Sequence, residues 1–304
     1  MNNSYRFYIP LILLLLSMRV LASNLPDYLL EQAINLSDGD TVTLADYQDD
    51  KPVYLKFWAS WCQPCLEQMP HFQKVQKQYG NEIVVISINI DMNDNQQAVQ
   101  TMIKQFGLTM PMAIDESGDL AQAFHLLGTP YHLLFDRHSN LVHHGHEANK
   151  LLDNKLALVA EAQDINMVDA GSLLEDGAEL LLPVEDGRTH GLFFTATWCD
   201  WYLAESRSQI ARHCSAAQEK MNDVVKQHPD IIWHGIISRL WTSEKDVAEY
   251  RDKFSIDHDL HIDQRNEWFY RYGVKNFPTL VLVENGKEIY RVEGDFDINQ
   301  LPID

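Results

Sequence analysis

The sequence predicts an α/β chain of two tandem α/β/α sandwiches, each built on a mixed central sheet. Three observations carry that expectation. The chain has 304 residues, and at about 150 residues per domain this makes two domains. Apolar runs of strand length alternate with segments of helical period and then close in a hairpin, which is the pattern of a sandwich with a mixed sheet. The same order of elements occurs twice, so an internal duplication is the simplest account.

In the first half "KPVYLKFWAS" reads as a buried strand running into a turn. Residues 63–79 follow helical spacing, with Leu66, Met69, Phe72 and Val75 on one face. "EIVVISINI" is apolar throughout, as in a strand buried on both sides of a parallel sheet. Asp94 is placed to cap a helix that runs to Phe106. "PMAID" is short and extended, and residues 119–126 make a short helix. "PYHLLFD" and "LVHHGH" flank the turn "RHSN" as a hairpin, and residues 149–162 form a closing helix. Turn formers without a strong period place a linker at residues 164–177. In the second half "HGLFFTAT" is a strand, residues 202–227 are helical and "IIWHGIIS" is a strand. Ser243 caps a helix to Phe254, "DLHID" is extended, and residues 264–272 are a short helix. "PTLVLVENGKEIYRVEG" is a hairpin turning at Asn285–Gly286.

The first residues stand outside this plan. Arg6 lies in a short polar head before an apolar run from Tyr8 to Met18. That run is shorter than the roughly 20 apolar residues a membrane span needs. With small residues at the end of "VLA", residues 1–22 read as a secretory leader cut after Ala22. The alternative is an uncleaved anchor. The organisation expected is therefore a leader at 1–22, a first domain at 23–163, a linker at 164–177 and a second domain at 178–304. The formal charge is −20, and loss of Arg6 and Arg19 with the leader takes it to −22. So acidic a surface argues against nucleic acid and anionic membrane as partners. Export places the four cysteines, Cys62, Cys65, Cys199 and Cys214, in a compartment where disulfides persist.

"WCQPC" is arranged for thiol chemistry. A strand ends at Trp58, a loop presents Cys62, and a helix begins at Gln63–Pro64. Pro64 suits a first helical turn because it has no N–H to leave unsatisfied. A free thiol has a pKa of about 8.5, and backbone N–H groups at a helix start lower it. Cys65, one turn further in, is within reach of a disulfide with Cys62. Cys62 as thiolate would attack a disulfide, and Cys65 would release the product. A structural zinc site wants four ligands, and no second pair stands nearby in this half. A static disulfide closing so small a loop would add little stability.

"FWASWCQPC" followed by "LLGTPYHLLFD" resembles the thioredoxin superfamily. The stretch "LSDGDTVTLADYQDDKPVYLKFWASWCQPC" and the helix inserted before "PMAID" resemble its TlpA-like branch of exported thiol–disulfide oxidoreductases. The likeness covers residues 25–163 and implies two tandem thioredoxin-like sandwiches once the second half is included. It implies catalytic roles for Cys62 and Cys65, and a cis bond between Thr129 and Pro130. The Pro130 loop would offer backbone groups to an extended substrate segment, with Trp61, Gln63 and Pro64 completing the contact surface. Two familiar acids are missing. Lys56 stands where thioredoxins carry a buried Asp, and Gln68, beside Glu67, stands where TlpA-like proteins often carry Glu. A buried Lys56 would favour thiolate; otherwise it reaches the strand edge with its charge in water. Proline in the dipeptide between the cysteines goes with reducing members of the superfamily. The expected partners are protein thiols and disulfides, and a reductant outside the cell needs an electron donor in the membrane. No cofactor is expected.

"TATWCDWYLAESRSQIARHCSA" keeps Trp198 and Cys199, but Tyr202 stands at the place of the second cysteine. Pro278 after Phe277 matches Pro130. Three readings remain open. Cys199 pairs with Cys214, or acts as a lone nucleophile, or belongs to a redox-silent scaffold that binds or positions partners. One continuous helix would hold Cys199 and Cys214 about 22 Å apart, so pairing requires a break near "AESRS". His138, His143, His144 and His146 crowd the first hairpin, and His144 and His146 share a face. Copper or zinc could bind there, and a metal carrier, copper above all, that uses Cys62, Cys65 and these histidines is a rival to the enzyme, although no metal site is expected. An isomerase built from an active and an inactive domain is the third possibility.

Overall fold

The computed structural model describes residues 24–163, 165–171 and 177–302. The expected leader at 1–22, with Arg6 and Arg19, and residues 164 and 172–176 of the expected linker lie outside the described residues. Among the described residues no helix is long and apolar enough to cross a membrane.

The first half opens with α1 (Asp27–Leu30) and a small antiparallel pair, β1 (Ile34–Asn35) and β2 (Thr41–Val42). It continues with β3 (Val53–Trp58), α2 (Gln63–Glu67), α3 (Met69–Tyr79), β4 (Val84–Asn89), α4 (Gln96–Phe106) and β5 (Met112–Ile114). Then come α5 (Asp119–Ala123), β6 (Tyr131–Phe135), β7 (Leu141–Gly145) and α6 (Lys150–Ala160). The sheet order is β5-β4-β3-β6-β7. β3, β4 and β5 are parallel; β6 and β7 run against their neighbours. All six residues of β3 are buried, as a central strand covered on both faces requires.

The second half repeats this with β8 (Thr189–Thr195), α7 (Cys199–Tyr202), α8 (Ser208–Gln227), β9 (Ile232–Ser238) and α9 (Glu244–Phe254). It closes with β10 (Asp259–Asp263), α10 (Glu267–Arg271), β11 (Thr279–Glu284) and β12 (Lys287–Glu293). Its order, β10-β9-β8-β11-β12, is that of the first sheet element for element, and the fold class expected from the sequence holds in both halves. The likeness extends to single polar groups. Asp115, after β5, accepts the N–H groups of Leu120 and Ala121 at 3.0 and 2.7 Å. Asp263, at the end of β10, accepts those of Trp268 and Phe269 at 2.8 and 3.1 Å. Burial pushes both carboxyls up to about 6.

Several boundaries differ from expectation for local reasons. The helix expected at 63–79 divides at Gln68. Pro70 inside a continuous helix would clash with the carbonyl four residues back, so the helix restarts and takes Pro70 into its first turn. Asn95, not Asp94, caps α4, its side chain accepting from Ala98 N at 2.9 Å. The helix expected at 202–227 is broken between Tyr202 and Ser208, and the one expected at 264–272 shortens to α10. The Asn285–Gly286 turn has φ of 49° and 72°, the left-handed pair that a two-residue hairpin loop asks for.

The break before Ser208 is what brings Cys199 and Cys214 together. They are disulfide-bonded, with Cα atoms 6.0 Å apart. Replacing both by alanine opens a crosslink spanning 15 residues and is expected to remove about 3 kcal/mol of stability. The change is read as a lower urea midpoint at unchanged slope. An unchanged midpoint would mean that the two sulfurs are not joined.

Candidate active site

β3 carries the chain to Trp58, and a tight turn then sets Cys62 as the cap of α2 with an extended backbone. The Cys62 Sγ accepts the N–H of Cys65 at 3.2 Å. Cys62 and Cys65 are disulfide-bonded, Cα to Cα 5.2 Å. A hydrogen bond from backbone N–H to this sulfur favours its ionised form once the bond is reduced. The Trp61 indole donates to Met92 O at 2.6 Å, which ties the turn to the loop after β4. Gln63 and Pro64 are exposed, and the Gln63 amide donates to Glu67 at 3.2 Å. The Thr129–Pro130 bond is cis. Phe57 pairs with Tyr131 across the sheet, so the Pro130 loop lies beside the end of β3 that launches the cysteine turn.

A chain of hydrogen bonds joins this loop to the cysteine helices. The Tyr54 hydroxyl and His132 Nδ1 are 2.6 Å apart, and His132 Nε2 meets Gln68 Oε1 at 2.7 Å. Gln68 Nε2 donates to His146 O at 3.1 Å, and His146 Nδ1 donates to Pro130 O at 2.8 Å. Gln68 thus acts from the joint between α2 and α3. Glu67, its neighbour, is exposed and takes no part beneath the pair. Tyr54 and His132 were not singled out from the sequence. The only sign of them was a histidine inside an otherwise apolar strand, opposite Lys56. Burial, with Lys56 next in weight, holds His132 well below the ordinary histidine value, so it serves as a neutral donor and acceptor.

Lys56 does not reach the strand edge. It is 0% exposed, its Nζ has no hydrogen-bond partner among the described residues, and it lies 5.3 Å from the centre of the Phe72 ring. β3 is enclosed on both sides, so a four-carbon stem finds no water to reach. Burial brings its pKa down to about 7.

The second half is laid over this site. Trp198, the counterpart of Trp61, donates to Leu240 O at 2.6 Å, and the two indoles pack at 5.1 Å. The Tyr202 hydroxyl accepts the N–H of Gln63 at 3.2 Å, and its ring meets Trp61 edge-on. Arg207 donates to Ser60 Oγ at 2.5 Å and pairs with Asp94 at 3.7 Å. Asp94 itself accepts from Ser60 N and Asn89, which is why it is not the cap of α4. Cys62 is 1% and Cys65 0% exposed. Cys199 and Cys214 are also buried. Neither is a free thiol, so a lone Cys199 nucleophile would first require reduction. Cys214 lies 3.9 Å from Phe277 O, beside the cis bond to Pro278. The hairpin histidines do not gather. His138 meets Asp49 and His146 is held by Pro130 O. Among the described residues no group of three or more His, Cys, Asp or Glu could hold a metal ion.

Residues 23–157 match the Redoxin family model. Over 105 residues the chain is 30% identical to the thiol-disulfide oxidoreductase ResA of Bacillus thuringiensis subsp. konkukian, covering 34% of this chain and 60% of that protein. It is 29% identical over 136 residues to the thioredoxin-like protein YneN of Bacillus subtilis, covering 44% and 76%. The match to ResA therefore spans 60% of that relative's length. The crystal structure of StoA from Bacillus subtilis aligns with 22% identity and a TM-score of 0.36, over 41% of this chain and 94% of that one.

The enclosure of Lys56 has a measurable sign. Below about pH 7 the lysine is charged both folded and unfolded, and the whole cost of burying the charge falls on the folded chain. Between about 7 and the unfolded value near 10.4 the unfolded chain holds more protons, so stability rises with pH. Lys56→Met is expected to be more stable than the parent at pH 6.5 by on the order of 3 kcal/mol. The gap should close towards pH 10 in urea titrations. A gap that does not change with pH would place the ammonium in water.

Proposed function

We propose that the chain, whose residues 23–157 match the Redoxin family model, is an exported thiol–disulfide oxidoreductase of the TlpA-like thioredoxin branch that reduces protein disulfides through Cys62 and Cys65. The observation that carries this reading is the Cys62–Cys65 disulfide at the start of α2, with the Cys62 sulfur on the Cys65 N–H. In the reduced protein the Cys62 thiolate attacks one sulfur of a substrate disulfide and expels the other as thiolate. Cys65, deprotonated, then attacks Cys62, reforms the internal disulfide and frees the second substrate thiol. Thr129 and Pro130 supply backbone to an extended substrate segment, and Gln63 and Pro64 lie on the exposed side of the pair. Lys56, whose pKa burial brings down to about 7, is a candidate to take the Cys65 proton in its neutral form, with Gln68 and His132 fixing the helix joint beside it.

The domain division at 23–163 and 178–304, the leader at 1–22 and the electron donor in the membrane belong to the same proposal. The ResA match is to a protein named a thiol-disulfide oxidoreductase. The second domain binds and positions: its Trp198, Tyr202 and Arg207 all touch the cysteine turn or its neighbours.

A redox titration in glutathione buffers, with thiols trapped and assigned by peptide mass, tests this reading. The Cys62–Cys65 pair is expected near the reducing end, about −270 mV. A value near −120 mV would make it a disulfide donor instead. Cys65→Ser is expected to accumulate a mixed disulfide with substrate through Cys62, and Cys62→Ser to form none.

A further inference from the structure

Two loops cross between the halves in matching fashion. In the first half the Trp61 indole bonds Met92 O; the next residue, Asn93, has φ 49° and donates its N–H to Lys275 O at 2.8 Å. In the second half the Trp198 indole bonds Leu240 O; the next residue, Trp241, has φ 55° and donates its N–H to Leu127 O at 3.0 Å. Lys275 and Leu127 each stand three residues before the cis proline of their own half. Each half thus lends one loop to the proline loop of the other.

The side chains break the symmetry. Asn93 is buried, and its Oδ1 accepts the Phe277 N–H at 2.9 Å. Trp241 keeps 46% of its surface exposed and lays its indole on Gly128, where an added Cβ would meet ring atoms at 2.9–3.1 Å. The His146 ring, which holds Pro130 O, lies 5.8 Å from that indole. A bulky aromatic in the left-handed region costs on the order of 1–3 kcal/mol. Gly or Asn would fill the turn with less strain, so the loop's geometry alone does not call for tryptophan.

We propose that the Trp241 loop is a built-in occupant of the surface beside Pro130, and that this surface selects substrate segments that donate one main-chain N–H to Leu127 O and rest an aromatic side chain on Gly128. The inference deepens the reading of Cys62 and Cys65 as a disulfide reductase and rests on it. A main-chain bond gives affinity, and a seat for one side chain gives selectivity. The backbone bond and the indole contact of Trp241 are those two contacts already made. Cys62 is buried, and Trp198 and Tyr202 sit on its neighbours Trp61 and Gln63, so a substrate sulfur reaches it only after the second half moves away. A segment that reproduces the Trp241 contacts displaces the loop because it binds only the opened state.

The test uses the full chain, reduced beforehand, and two short peptides disulfide-linked to a chromogenic thiol, with Trp or Ala beside the cysteine. Trp241→Gly removes the ring and suits the local backbone, so the fold is kept. It is expected to raise kcat/KM for both peptides at least about tenfold, with the Trp peptide preferred by about tenfold. Gly128→Ala fills the indole's seat and is expected to erase that preference. Equal rates for the two peptides in Trp241→Gly, or no acceleration over the parent, overturns the proposal. The free chromogenic disulfide separates the two levels. If it is reduced while the peptides are not distinguished, only the surface assignment fails. If no variant reduces it, the reductase reading fails and takes the surface assignment with it.

Discussion

Two buried indole N–H groups govern how this chain is assembled. Trp61 and Trp198 are packed against each other out of water, and a buried donor without an acceptor costs about 1–3 kcal/mol. Each finds its acceptor in a carbonyl of the loop that follows the second strand of its own sheet, Met92 or Leu240. That requirement draws both loops up to the cysteine turns. From there Asn93 and Trp241 donate their N–H groups to Lys275 O and Leu127 O of the opposite proline loops. The pairing of the halves, the covering of Cys62 and the strained backbone at Trp241 all follow from satisfying those two donors.

The second half holds its cysteines differently from the first. Tyr202 stands where the first half has its second cysteine, and its hydroxyl accepts the Gln63 N–H, next to Cys62 of the other half. Cys199 found a new partner on the following helix, which was possible because the chain breaks between Tyr202 and Ser208. The same Trp–Cys pair therefore ends one strand in an exchangeable two-residue loop and the other in a larger crosslink behind Phe277.

Much of this was legible in the residues. Continuous apolar runs such as "EIVVISINI" mark strands with both faces covered, and "ENGKE" marks its own turn. The cysteine spacing and the two prolines carried the first site. Other features left no trace. Helical period is blind to a joint such as Gln68, because Met69 and Phe72 keep their face on either side of it. Lys56 reads equally as an edge or a core residue until the sheet encloses it. Tyr54, His132 and Gln68 meet only because β3 and β6 are neighbours and the helix restarts at Pro70. The contact between halves is hardest of all to see, since Trp61, Trp198 and Tyr202 are equally at home inside a single core.

The bond from Trp241 N to Leu127 O joins two parts of one polypeptide, and that changes the terms on which anything else can bind. A tethered group acts at an effective concentration set by its connection, commonly millimolar for short links. No dilution of the protein weakens it. Against such a standing competitor, weak and chance encounters fail, and only segments of higher affinity gain access to the sulfur. A thiol kept behind that threshold is not spent on every disulfide that drifts by.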